Sequence, residues 1–143
     1  MNGVQMSEGT TGVVELRIPR RAEWVAVARL AVAAVANRLN FSIEEIEDVK
    51  LAVAEACTNC ILQRDAADQI EIVCDTKEDG ITVRVRSFAG PAPSIEPPAP
   101  IEKEQQQIGA LGIFLIRSLM DNVNYEHGQG RGTDLVMTKK VTS

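Results

Sequence analysis

Glu55 and Asn59 stand four positions apart in Ile46–Cys60, a stretch whose apolar residues recur at helical spacing. On an α-helix such a pair shares one face, a turn apart. A carboxylate beside a side-chain amide suits a general base standing next to an oxygen that ligates a hard cation. A solvated helix face carries the same pattern, and spacing alone favours that plainer reading. Advancing by about 100° per residue from Glu55 gathers Ile46, Val49, Val53, Cys57 and Cys60 on one side and Asp48, Ala52, Glu55 and Asn59 on the other. The same stretch spells C-x-x-C at Cys57-Thr58-Asn59-Cys60. Cys74 is the third cysteine and His127 the single histidine. A zinc site takes about four ligands, and an odd, sparse set of cysteines makes no disulfide framework. Core packing is therefore the expectation for these thiols.

Several elements must hold these residues. Val13–Ile18 alternates and ends at Pro19, which predicts a strand. Glu23–Leu39 predicts an amphipathic helix with Val27, Leu30, Ala31, Ala34, Val35 and Leu39 inward. Ser42 followed by Glu45 is a capping-box pattern and opens a second helix reaching about Leu62. Ile70–Cys74 and Ile81–Val85 form a hairpin around a turn at Thr76–Gly80. Pro91–Gln107 holds five of the six prolines and reads as a long loop. Gly109–Met120 has helical spacing. Asn122–Glu126 and Asp134–Thr138 are closing strands, joined by the hairpin loop Gly128–Gly132. The order describes an α+β two-layer sandwich, mostly antiparallel, with three helices on one face.

The 143 residues suit one domain, spanning 13–143 after a flexible tail at 1–12. Aromatics make up only 3 %, so the core falls to Val, Ile, Leu and Ala. A net charge of −5 argues against nucleic acid as a direct partner. No apolar run reaches the roughly 20 residues that span a bilayer, and no signal-peptide pattern opens the chain. No membrane partner is expected, and the cytoplasm is the expected compartment.

Ordered motifs sharpen this outline. Ile46–Val53 followed by Glu55-Ala56-Cys57-Thr58-Asn59 resembles the N-box helix of the GHKL, or histidine kinase-like, ATPases. Leu111–Ile116 with Leu119–Val123 resembles the second glycine box and following helix, and Gly132–Lys139 the last box. The three matches, in unbroken order over about residues 13 to 140, are closest to the RsbW/SpoIIAB-type anti-sigma serine/threonine kinases. The resemblance implies the Bergerat (GHKL) fold with ATP and Mg²⁺ as ligands. It assigns activation of the phosphoryl acceptor to Glu55, Mg²⁺ beside the phosphates to Asn59, and a hydrogen bond at the adenine end to Thr133. It implies two protein partners, a sigma factor and a STAS-domain anti-anti-sigma antagonist phosphorylated on Ser or Thr, and a homodimer. Val27-Ala28-Arg29-Leu30 resembles the family's partner-contact segment, which makes Arg29 the partner-binding residue. The Pro-rich loop stands in the place of the ATP lid.

The sequence also departs from that pattern. The first glycine box, Asp-x-Gly-x-Gly in the family, reads Ser87-Phe88-Ala89-Gly90-Pro91. Ser87 replaces the carboxylate that takes the adenine amino group, and Ala89 and Pro91 replace the glycines. Losing a hydrogen bond to a charged group costs about 1.5–3 kcal/mol, roughly ten- to hundredfold in affinity. In the second box, Gly109 sits one position early and Ala110-Leu111-Gly112 takes the place of Gly-x-Gly; a backbone N–H binds phosphate from Ala as well as from Gly. Two functions stay open: an active kinase, or a catalytically impaired pseudokinase that regulates by binding alone.

Overall fold

The computed structural model describes residues 12–63, 66–89, 103–128 and 132–142. The elements are β1 (Gly12–Pro19), a 3₁₀ turn (Ala22–Trp24), α1 (Val25–Ala36), α2 (Ile43–Ile61), β2 (Ala66–Lys77), β3 (Gly80–Ala89), α3 (Lys103–Leu119), β4 (Asn122–Gly128) and β5 (Gly132–Lys140). The strands form one sheet in the order β1-β2-β3-β5-β4, with every neighbouring pair antiparallel. Three helices cover one face, giving the expected α+β sandwich. α1 lies over β1 and β2, α2 over β3 and β5, and α3 beside β4, with α2 packed between the other two helices.

Strand alternation produces the layers. Ile70, Ile72 and Cys74 on β2, Ile81, Val83 and Val85 on β3, and Leu135 and Met137 on β5 are buried beneath the helices. The residues between them face the other way, as the two-residue period requires. Glu71 is buried even on that outer face, and such a charge needs partners. Arg17 Nη2 donates to it at 3.2 Å and Arg86 Nε at 2.7 Å. Beside them Arg84 grips Asp134 with two donors, one of them Nε to Oδ1 at 2.8 Å.

α2 begins as its sequence dictates. The Ser42 hydroxyl accepts from the Glu45 N–H at 3.1 Å, and the Glu45 carboxylate accepts from the Ser42 N–H at 2.9 Å. Val49 and Val53 are fully buried against the sheet, each contributing on the order of 1.5–3 kcal/mol. Ala52 is buried as well, so the inward face is wider than the expected division of the helix.

Three expectations need correction. α1 starts at Val25 and ends at Ala36, and it turns a different face inward. Ala28, Val32, Val35 and Ala36 are buried, whereas Val27 and Leu30 are exposed, Leu30 by 69 %. The helix is apolar nearly all round, so periodicity could not choose the face. The small residues go inward, where α2 and the sheet lie close. The loop expected over Pro91–Gln107 is shorter at its end, because α3 begins at Lys103. Lys-Glu-Gln-Gln-Gln is polar but has good helix propensity. Residues 91–102, which include the segment in the place of the lid, lie outside the described residues, as do the tail at 1–11 and loop positions 129–131. The hairpin turn is also tighter than expected, since Lys77 already pairs with Gly80.

Two carboxylates set an acid limit. The hydrogen bond from Arg84 holds Asp134 below its ordinary value of 3.8, and the backbone N–H of Ser42 holds Glu45 below 4.5. Groups depressed by folding contribute their full stability above the unfolded pKa and lose it as pH falls through the folded one. The melting temperature is expected to drop as pH falls below about 4.5 and on through the Asp134 range. Asp134→Asn should flatten part of that drop, as read by circular-dichroism melts across pH.

Candidate active site

The middle helix supplies the site. Glu55 is half-buried on α2, and Asn59, one turn later, is only 5 % exposed. Both face α3 where it carries glycine. A Cβ added at Gly112 would stand 3.0 Å from Glu55 Oε2 and 3.3 Å from Asn59 Nδ2, and one at Gly109 would stand 3.7 Å from Asn59 Oδ1. Asn59 Nδ2 donates to the Gly109 carbonyl at 3.3 Å. The structure thus brings together Glu55, Asn59, Gly109 and Gly112. Ala110, between the glycines, is exposed and turned away from the pair.

A second polar group lies one residue further along α2. Register pairs Ser87 of β3 with Thr133 of β5, and both side chains are buried. The Ser87 hydroxyl accepts from the Thr133 N–H at 3.2 Å. The Cys60 thiol and the Ser87 hydroxyl are hydrogen-bond partners, and Tyr125 of β4 meets the Thr133 side chain. Gly132 has φ +78°, and a Cβ there would run into the Ser87 carbonyl, so only glycine lets β5 approach this closely. Ala89 closes β3 opposite Ala66. Arg29 is exposed on α1, away from these groups.

Sequence reasoning found both ends of this arrangement but missed Cys60 and Tyr125. Cys60 follows Asn59 directly, and about 100° of helical turn carries it from the Gly109 side to the Ser87 side. Tyr125 gave a weaker signal, its parity on β4. The C-x-x-C thiols are core groups. Burial pushes Cys57 and Cys60 up to about 12 and Cys74 to about 11, so none is a thiolate near neutrality.

Chemically, a carboxylate and an amide share a glycine-faced wall at one end of α2, and a buried hydroxyl pair closes the other. Oxygen donors next to a surface cleared of side chains fit a hard cation and phosphate oxygens. Residues 18–139 match the family described as the Histidine kinase-like ATPase domain. The serine-protein kinase RsbW of Bacillus cereus (strain Q1) is 34 % identical over 142 residues, covering 90 % of this chain and 84 % of that protein. RsbW of Bacillus anthracis matches to the same extent, and RsbW of Bacillus mycoides (strain KBAB4) is 35 % identical over the same shares. The chain belongs to the histidine kinase-like ATPases, within the branch of the RsbW-type serine-protein kinases. Among the described residues, no helix is long and apolar enough to cross a membrane.

The buried thiols give a direct check on this packing. In native protein at pH 8 none of the three cysteines should react with a thiol reagent within minutes, and all three should react after denaturation. A fast-reacting native thiol would contradict the arrangement around Cys60.

Proposed function

We propose that the chain is an anti-sigma regulator whose domain, residues 13–143, uses ATP to phosphorylate a STAS-domain antagonist on Ser or Thr. One placement carries the reading: Glu55 and Asn59, a turn apart, face the side of α3 where Gly112 has no side chain. In this reading Glu55 accepts the proton of the acceptor hydroxyl, which its half-exposed position leaves open to an incoming protein. Asn59 holds Mg²⁺ through its amide oxygen, and the ion supplies charge neutralisation at the phosphates. The backbone of Gly109, Ala110 and Gly112 faces the phosphates, and Ser87, Ala89 and Thr133 form the base end. Phosphoryl transfer depends on placement and charge compensation more than on covalent steps, and this group of residues supplies both.

The same reading gives the chain a sigma factor to sequester and a second copy of itself as dimer partner, in the cytoplasm. Arg29 is exposed beside Leu30 on α1, where it can meet a protein surface. A non-enzymatic binder is the second reading, and Ser87 favours it. A hydroxyl that already accepts the Thr133 N–H offers a nucleotide base less than a carboxylate would.

Calorimetry with ATP and Mg²⁺ separates the two. A Kd on the order of 1–100 μM, lost in Asn59→Ala, together with phosphate transfer lost in Glu55→Gln, supports the kinase. No binding at about 1 mM nucleotide leaves the binder. Ser87→Asp should tighten ATP binding about tenfold and lower the melting temperature of the free protein, because it buries a carboxylate beside Cys60. Arg29→Glu should abolish antagonist or sigma capture in a pulldown with no change in melting temperature; undiminished capture removes Arg29 from the interface.

A further inference from the structure

We infer that the first turns of α3, Lys103 to Gly112, are a latch. They wind onto the Glu55–Asn59 pair in the nucleotide-free chain and unwind when phosphates bind there. The inference deepens the nucleotide reading above and rests on it.

Three observations carry it. The first is the bond from Asn59 Nδ2 to the Gly109 carbonyl, which commits the nearly buried amide to the backbone of α3. The second is helix geometry. Only about the first four N–H groups of a helix lack an internal acceptor. α3 starts at Lys103, so the N–H groups of Gly109 through Gly112 lie deeper than that and are taken up within the helix. They become phosphate donors only if the helix starts near Gly109. The third is how weakly the wound segment is held. It carries two glycines, each a poor helix former, and its large apolar side chains face outward, with Ile108 51 % and Leu111 66 % exposed. The rest of α3 is anchored: Ile116 and Met120 are buried, and Lys139 Nζ donates to the Leu119 carbonyl at 2.7 Å. A helix fixed at its C-terminal end and loosely held at the other opens from the loose end.

The wound form competes with nucleotide, so strengthening it should weaken binding. Gly109→Ala meets only ordinary contact, 3.7 Å from Asn59 Oδ1, and favours the helix. It should raise the melting temperature and weaken ADP–Mg²⁺ binding about fivefold in calorimetry. Ser118→Ala favours helix in the anchored half and should leave that affinity unchanged. Hydrogen exchange on the unaltered chain gives a second measurement. Saturating ADP–Mg²⁺ should speed exchange at Gln107 and Ile108 while Ile116–Leu119 keep their protection. If ADP binds but slows exchange along the whole of α3, or if Gly109→Ala binds as tightly as the parent, the latch is wrong and the nucleotide site stands. If neither parent nor variant binds ADP, both the site and the latch fall.

Discussion

The Arg20 guanidinium closes the C-terminal end of α2, and the geometry of the site follows from that closure. Its Nη1 donates to the carbonyls of Ile61 at 2.9 Å and Gln63 at 2.8 Å and reaches Cys60 at 3.5 Å, while Nε donates to Ala67 at 3.0 Å. The last four carbonyls of a helix lack internal partners and sit at the negative end of its dipole. One cation, placed just after β1, answers both needs and ties the end of α2 to the start of β2. At the other end the Ser42–Glu45 capping box holds the first N–H groups. A helix fixed at both ends cannot rotate to present another face, and Asn59 lies within one turn of the clamp. The direction in which Glu55 and Asn59 point is therefore a property of the fold, set before any ligand arrives.

Sheet register completes what α2 begins. Ser87 meets Thr133 because β3 and β5 pair in one register, and a slip of one residue would turn both hydroxyls to the outer face. The outer face carries the charges that oppose such a slip. Arg84 reaches diagonally to Asp134, and Arg17 and Arg86 converge on Glu71 from the strands on either side of it. Moving a strand would leave Glu71 buried without its cations, a large cost for a desolvated carboxylate. The ion pairs on one face and the aliphatic rows on the other select the same alignment.

Much of this was legible from residues alone where the determinant was local. The capping box lies within four positions, so it was readable before any packing was known, and the i,i+4 relation of Glu55 to Asn59 needed only a helix. The alternating runs of β2 and β3 announced their hairpin. What escaped depends on contacts far apart in sequence. The inward face of α1 was misread because Val27 and Leu30 fit the helical period as well as Val32 and Val35 do. Only the closeness of α2 and the sheet decides which row is covered, and it favours the row containing Ala28 and Ala36. The start of α3 was hidden because a polar run beside prolines looks like loop, although Lys, Glu and Gln are good helix formers. Arg20 gave no signal at all. Its role exists only once the end of α2 lies over the start of β2, some forty residues later in the chain.

The two ends of the site differ in what they require of the free protein. Glu55 keeps contact with solvent, and the Asn59 amide has a backbone carbonyl to bond, so that end is stable without a ligand. A carboxylate at position 87 would sit beside the Cys60 thiol and the buried strand pair, and in the absence of a donor ligand it would be a desolvated charge. Serine avoids that cost. Its hydroxyl is satisfied by the Thr133 N–H and can reorient, whereas a carboxylate only accepts. The residue that weakens recognition of an amino-bearing base is thus the one that leaves the free fold satisfied. Dependence on ligand shifts from the base end to the end where α3 meets Asn59, where a helical turn held by two glycines and one amide hydrogen bond is easily exchanged for phosphate contacts.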